Sequence, residues 1–242
     1  YDTADQKTLI KNIMKEQNVD AKLFPQAYLS AVISKQKEAD IDPEAYLEIN
    51  GGEFKNKIIY NVYSAYQKEL KKNNAMDFDD LLLNAFHVLK ENPEALEEYL
   101  STFRYIMVDE YQDTNPIQND IIMLLAEPRN NLFCVGDDDQ SIYGFRGSEP
   151  SIMLQFPKEF EHAKVIQLPL NYRCKENIVQ ASNRLISFNK NRYNKRILAA
   201  RTENPTDADV IFHAYDKYSE ECNYVKNVLL RNDKQAAMIG NV

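Results

Sequence analysis

Apolar residues recur every three to four positions through the first 75 residues, the spacing of helices that bury one face. Thr3 with Gln6 fits a capping box, and Leu9, Ile10, Ile13 and Met14 then share one face. Ile58, Ile59, Val62, Tyr63, Tyr66 and Leu70 repeat the pattern after a break at Gly51 and Gly52. Asp77 is placed to cap a helix carrying Leu81, Leu82, Ala85, Phe86 and Leu89, and Asn92 with Pro93 reads as the cap and first position of the next. The lysine-rich faces of these helices read as solvated surface.

From about residue 103 the rhythm changes. Short apolar runs at 103–108 and 131–135 end in Asp109-Glu110 and Gly136-Asp137. Asn115 and Pro116 open a helix that reaches Ala126. Further helices are expected over 150–160, 175–189 and near 217–230, with strands over 164–168 and near 209–215. Strands alternating with helices of this length predict an α/β fold, a parallel sheet with crossover helices, behind an all-helical N-terminal region. In such sheets function gathers at the carboxyl ends of the strands, where these acids sit.

Composition narrows the class. With 242 residues, 44% of them hydrophobic, the chain has material for a real core. Its longest unbroken apolar run, 121–126, falls far short of the roughly 20 residues a membrane helix needs, so no membrane partner is expected. Cys134, Cys174 and Cys222 are odd in number and widely spaced, and His87, His162 and His213 are scattered. That pattern argues against a disulfide framework or a zinc site and for the reducing cytoplasm. The first residue is Tyr1 rather than Met, which reads as a piece of something longer. None of the glycines, at 51, 52, 136, 144, 147 and 240, belongs to a GxxxxGK[ST] phosphate loop.

The net charge of −8 argues against binding nucleic acid by bulk attraction, but the average conceals a segregation. Residues 1–75 balance to zero, 91–161 carry −11, and 171–201 carry +7. The basic block is evenly open between an ordinary solvated helix face and a functional one, whereas the acidic block is harder to dismiss because its charges gather at two strand ends.

The strand ends carry the candidate chemistry. Two adjacent carboxylates, Asp109 and Glu110, at the rim of a sheet suit a Walker B arrangement: one holds Mg²⁺, the other polarises an attacking water. The plainer reading is a surface turn. At the second strand end, Asp137, Asp138 and Asp139 repel one another unless a cation or donors offset them. Gln140 beyond them can hydrogen-bond a phosphate or water. Tyr143, Phe145 and Arg146, with glycines between, suit stacking on unpaired bases; the alternative packs the aromatics inward. Asn171, Tyr172 and Arg173 are expected just after a strand, at the start of a basic helix, where Arg173 could reach a transferring phosphate.

Three segments together resemble one family. VDEYQDTN at 108–115, GDDDQSIYGFRG at 136–147 and LPLNYR at 168–173 closely resemble motifs II, III and IV of the superfamily 1 DNA helicases of the UvrD/PcrA/Rep type. MDFDDL at 76–81 looks like the segment that returns from an inserted helical subdomain to the first motor domain. The resemblance implies a partial P-loop NTPase (RecA-like) parallel sheet. Residues 1–75 would form the helical insert, 76–170 the C-terminal part of the first motor domain, and 171–242 the start of the second. It further implies ATP as substrate with Mg²⁺ on Asp109, Glu110 activating the hydrolytic water, and Gln140 sensing the γ-phosphate. Arg173 would contact that phosphate from the second motor domain and Tyr172 would stack on the adenine. Tyr143, Phe145 and Arg146 would contact single-stranded DNA, Phe145 standing where the family usually has Trp. The implied activity is ATP-dependent 3′→5′ translocation and unwinding at single-strand/duplex junctions, with repair or replication proteins as possible partners. The phosphate loop is expected before residue 1 and the later motifs beyond Val242, so these residues alone are expected to be inactive as an ATPase. The alternative is a non-enzymatic module, derived from a helicase, that binds single-stranded DNA or a partner protein.

Overall fold

A computed structural model describes residues 1–127, 129–144, 147–160, 162–201 and 213–231. The chain divides into two compact units, Tyr1–Ile166 and Gln167–Val242.

The first unit opens with helices α1 (Thr3–Glu16), α2 (Gln26–Glu38), α3 (Pro43–Asn50) and α4 (Phe54–Lys72). The predicted apolar face of α1 is the one it buries, through Ile10, Ile13 and Met14. Ile59, Val62, Tyr63, Tyr66 and Leu70 of α4 meet them, with Phe24, Leu29, Ile33 and Tyr46, in one core. The cap of α1 lies one residue earlier than its sequence suggests. The Asp2 carboxylate accepts from the amides of Ala4 (2.7 Å) and Asp5 (2.9 Å), and a charged acceptor there suits the helix N-terminus better than the Thr3 hydroxyl.

Helix α5 (Phe78–Glu91) begins at Asp77, as expected, but its first turn does more than cap it. Asp77 and Asp80 bond each other's backbone amides, at 2.8 and 3.1 Å, in a reciprocal capping box. Their remaining oxygens, Asp77 Oδ2 and Asp80 Oδ1, each stand 2.7 Å from Lys37 Nζ of α2. The Tyr66 hydroxyl donates to the same Asp77 oxygen at 2.8 Å, and its ring centroid lies 5.0 Å from the amine. Lys37 has no exposed surface. This corrects the reading of every lysine-rich face as solvated: an amine enters the interior when carboxylates on another helix meet it there. Burial raises the Asp77 pKa, and the charge and hydrogen bond of Lys37, with the Asp80 amide and the Tyr66 hydroxyl, outweigh it and hold the carboxyl below its ordinary range.

Helix α6 (Pro93–Thr102) leads into β1 (Ile106–Val108), α7 (Pro116–Ala126), β2 (Leu132–Cys134) and α8 (Pro150–Glu159). Strands β1 and β2 pair in parallel, with Ile106, Met107 and Val108 opposite Leu132, Phe133 and Cys134. Helix α5 packs on α2 and α7, and α7 packs on β1, so the ladder is carried by the helical region. One face of the pair is open, Met107 being 78% and Phe133 59% exposed.

In the second unit, β3 (Leu170–Lys175) and β4 (Leu198–Arg201) pair in parallel around α9 (Glu176–Ile186), and α10 (Tyr218–Arg231) follows. The architecture is thus helix-rich α/β with two small parallel pairs, one in each unit, among the described residues. Three expectations are corrected here. Residues 164–168 are not a strand: Val165, Ile166 and Leu168 are exposed, and pairing starts only where the Leu198 amide donates to the Pro169 carbonyl at 2.7 Å. Asn171, Tyr172 and Arg173 lie inside β3 rather than after a strand. Of the eight basic residues in 171–201, only Arg184 falls within α9, so there is no basic helix. The strand expected near 209–215 falls mostly outside the described residues, and 213–215 are irregular. No helix among the described residues is long and apolar enough to cross a membrane.

Replacing Lys37 by Met leaves Asp77 and Asp80 buried without their cation. Urea unfolding of Lys37→Met is expected to show a loss of about 3–5 kcal/mol; a loss under about 1 kcal/mol would refute the paired-charge account.

Candidate functional site at the strand ends

Parallel pairing sets the exits of β1 and β2 side by side. The Val135 amide donates to the Val108 carbonyl at 2.8 Å, and the Tyr111 amide returns to the Val135 carbonyl at 2.9 Å. Between them the chain turns sharply. Glu110 adopts the left-handed conformation, φ 49° and ψ 42°, which cannot continue a strand. Among the described residues, the other non-glycine residues of positive φ are Asn18, Asp40, Asn74 and Asn130, types that tolerate it. For Glu110 it costs about 1–2 kcal/mol, strain of the sort found at functional sites. Asp109 and Glu110 are both exposed at this rim.

A single 3₁₀ turn, Tyr111–Asp113, follows and carries Gln112 inward to 1% exposure. The Gln112 amide has partners at both ends. Nε2 donates to Glu110 Oε2 at 2.8 Å and to Asp113 Oδ2 at 3.3 Å. Oε1 accepts the Asp137 amide at 2.9 Å. Gly136 makes the approach possible: a Cβ there would lie 2.6 Å from Gln112 Oε1 and 3.2 Å from its backbone nitrogen. Tyr111 anchors the turn from beneath, its hydroxyl on Asn119 Oδ1 at 2.6 Å and its ring edge-on to Phe156.

The loop beyond β2 is held to this turn and its exit at Asp137, Ser141 and Glu149. Asp137 caps a second 3₁₀ turn, Asp138–Gln140, accepting the Asp139 amide at 3.1 Å and the Gln140 side-chain amide at 2.7 Å. Donors therefore offset at least one of the three adjacent acids. Ser141 Oγ donates to the Gln112 carbonyl at 3.2 Å, and the Glu149 amide to the Thr114 carbonyl at 3.1 Å. Gly147, at φ 77°, closes the loop against Glu38 of α2, and a Cβ there would fall inside the Glu38 carboxylate.

The structure thus brings Asp109, Glu110 and Gln140 to one rim, with Tyr143 exposed farther along the same loop. Phe145 and Arg146 lie outside the described residues. Tyr172 and Arg173 belong to the second unit. There the β3–β4 register jumps from Asn171 to Lys175, leaving the residues between them out of the ladder. Asn171 Oδ1 holds that bulge by accepting the amides of Arg173 (2.9 Å) and Cys174 (2.8 Å). Both side chains are exposed, Tyr172 at 68%. A cavity of about 570 Å³ lies elsewhere, beside α1, and Lys7, Lys11, Lys15 and Gln26 line it; none of its lining residues comes from the strand ends. The reading by residue type missed Gln112. Its one signal was a neutral polar residue between acids directly after a strand.

A parallel pair with its polar groups gathered at the carboxyl ends is the α/β arrangement in which ligand sites form. Residues 1–161 match the family described as the UvrD/REP helicase N-terminal domain, and the chain belongs to the UvrD/REP helicases. It is 40% identical over 224 residues to the ATP-dependent DNA helicase PcrA of Bacillus subtilis, covering 93% of this chain and 30% of that protein. To the PcrA of Staphylococcus epidermidis it is 36% identical over 234 residues, covering 96% and 31%. The chain spans about three tenths of the length of these relatives.

Burial and the nearby Asp79 raise the Glu38 pKa from 4.5 to about 7, Lys35 opposing them. The folded chain then keeps a proton that the unfolded chain releases, so stability should fall as pH rises from 4.5 to about 7 and level off above. Glu38→Gln is expected to remove that slope, matching the parent in acid and exceeding it at about pH 8. Denaturation at both pH values checks this, and parallel pH profiles would refute it.

Proposed function

We propose that this chain is the central portion of an ATP-driven DNA helicase that moves 3′→5′ along single-stranded DNA and unwinds duplex at single-strand/duplex junctions. The observation that carries the reading is the junction of the two strand ends, where Asp109 and Glu110 share a rim with the turn that bears Gln140. In this reading 1–75 form the helical insert, 76–170 the C-terminal part of the first motor domain, and 171–242 the start of the second. The open face bearing Met107 and Phe133 supports it, because parallel strands are ordinarily covered on both faces and more of the motor domain would cover these.

Asp109 is an exposed carboxylate at a strand end, a hard oxygen donor that would hold Mg²⁺ mainly through the ion's own waters. The ion, when bound with ATP, neutralises charge on the transferring phosphate. Glu110 orients the attacking water and accepts its proton. Gln140 hydrogen-bonds the γ-phosphate and registers its loss. Arg173, presented on the β3 bulge, adds positive charge to that phosphate, and Tyr172 stacks on the adenine. Tyr143, Phe145 and Arg146 contact the DNA strand, so phosphate loss at Gln140 is felt a few residues away by the base platform. The loop that cradles the phosphates is supplied from outside these 242 residues.

Sequencing the gene on both sides of this segment is the direct test. An in-frame GxxxxGK[ST] upstream is expected, and its absence would favour a binding module without ATP turnover. In the complete polypeptide, Glu110→Gln should cut DNA-stimulated ATP hydrolysis at least about 100-fold while leaving ATP binding in place. The 242-residue chain by itself should not turn over ATP. For the DNA contact, Phe145→Ala should weaken single-stranded oligonucleotide binding by about 1–3 kcal/mol in fluorescence anisotropy, and unchanged affinity would remove Phe145 from the interface.

A further inference from the structure

We propose that Gln112 is a positioning residue for ATP hydrolysis, fixing the Glu110 carboxylate and joining it to the turn that carries Gln140; this rests on the reading of Glu110 as the group that activates water. The orientation of its amide follows from the partners. The oxygen must face the Asp137 N–H and the nitrogen must face the two carboxylates, because the flipped amide would set oxygen against Glu110 and Asp113 and donor against donor at Asp137. Both N–H groups of a nearly inaccessible side chain are thus spent on acids, one of them at the exposed rim.

The consequence for Glu110 is directional. Its backbone is already held in the left-handed region by the turn, and the Gln112 donor takes one carboxylate oxygen, Oε2. The other oxygen, Oε1, is then the one that can meet a water. An acceptor with one oxygen tied is limited in rotation, the condition under which a base stays aligned with its water. The path also continues. Asp137, whose amide is bound by Gln112 Oε1, holds the Gln140 side chain through its own carboxylate at 2.7 Å. Glu110 and Gln140 are therefore linked by three hydrogen bonds that pass through Gln112 and Asp137. A movement of Gln140 on loss of phosphate has a route to the carboxylate that produced the loss. A polar residue present only to fill space would not need the glycine at 136, whose missing Cβ is what lets the amide sit between the two strand exits.

Two variants in the complete polypeptide test this. Gln112→Glu keeps the shape and an acceptor for the Asp137 amide but removes both donors; Gln112→Met keeps the length and removes every polar contact. Assayed well below its own melting temperature, each is expected to lower kcat for DNA-stimulated ATP hydrolysis about 10–100-fold with KM for ATP little changed. Gln112→Glu also lowers the melting temperature, because it buries a third carboxylate against Glu110 and Asp113, and Gln112→Met lowers it less. Should either folded variant keep kcat within about twofold of the parent, in a protein that Glu110→Gln inactivates, the proposal is overturned and the reading of Glu110 stands. A kcat loss that only tracks a fallen melting temperature in both variants would make Gln112 a packing residue and likewise overturn it. If Glu110→Gln itself retains turnover, the reading of Glu110 fails, and the role given to Gln112 fails with it.

Discussion

The amine of Lys37 is closed off from bulk solvent, and the first unit supplies its partners. Two carboxylates at the start of α5 and the ring of Tyr66 from α4 close on it, while the same carboxylates cap α5 with their other oxygens. A packing that shifted α2 against α5 by one turn would strand a charge in the interior, which costs far more than any apolar contact it could gain. The cluster therefore fixes where α5 begins relative to the helical core. Because α5 packs on α7 and α7 on β1, it also fixes where the strand ends lie.

At those strand ends the chain accepts a local cost to gain geometry. Glu110 sits in a backbone conformation that glutamate rarely adopts, and Gly136 gives up a side chain so that the Gln112 amide can approach. The hydrogen bonds of Gln112 hold both features in place from the buried side, and the second 3₁₀ turn hangs from Asp137 on the exposed side. Strain is retained because its surroundings over-determine it. The arrangement at β3 is different in kind. There a bulge held by Asn171 lifts Tyr172 and Arg173 out of a ladder rather than bending the end of one.

Much of this was legible beforehand. The apolar faces of α1 and α4, the starts of α5, α6 and α7, and the parallel alternation with acids at the strand ends follow from spacing and from a few capping residues, which act within one or two turns of chain. The run at 164–168 misled because hydrophobicity alone does not make a strand; a ladder needs a partner, and the partner, β4, appears only when 198–201 fold back beside 170–175. The basic block misled for a related reason, since charge counted along the chain does not say which residues share a helix.

What the sequence determined by itself are local properties: periodicity, caps, the order of elements, and motifs specific enough to place Asp109, Glu110 and Gln140 at strand ends. What only the tertiary structure decided are the long-range pairings. Lys37 looks like any surface lysine until Asp77 and Asp80, some 40 residues away, are brought to it. Gln112 looks like a spacer between acids until a glycine 24 residues on leaves room for its amide. Periodicity is read within a few residues, whereas the partner that makes a buried polar group tolerable can come from anywhere in the chain, and only folding names it.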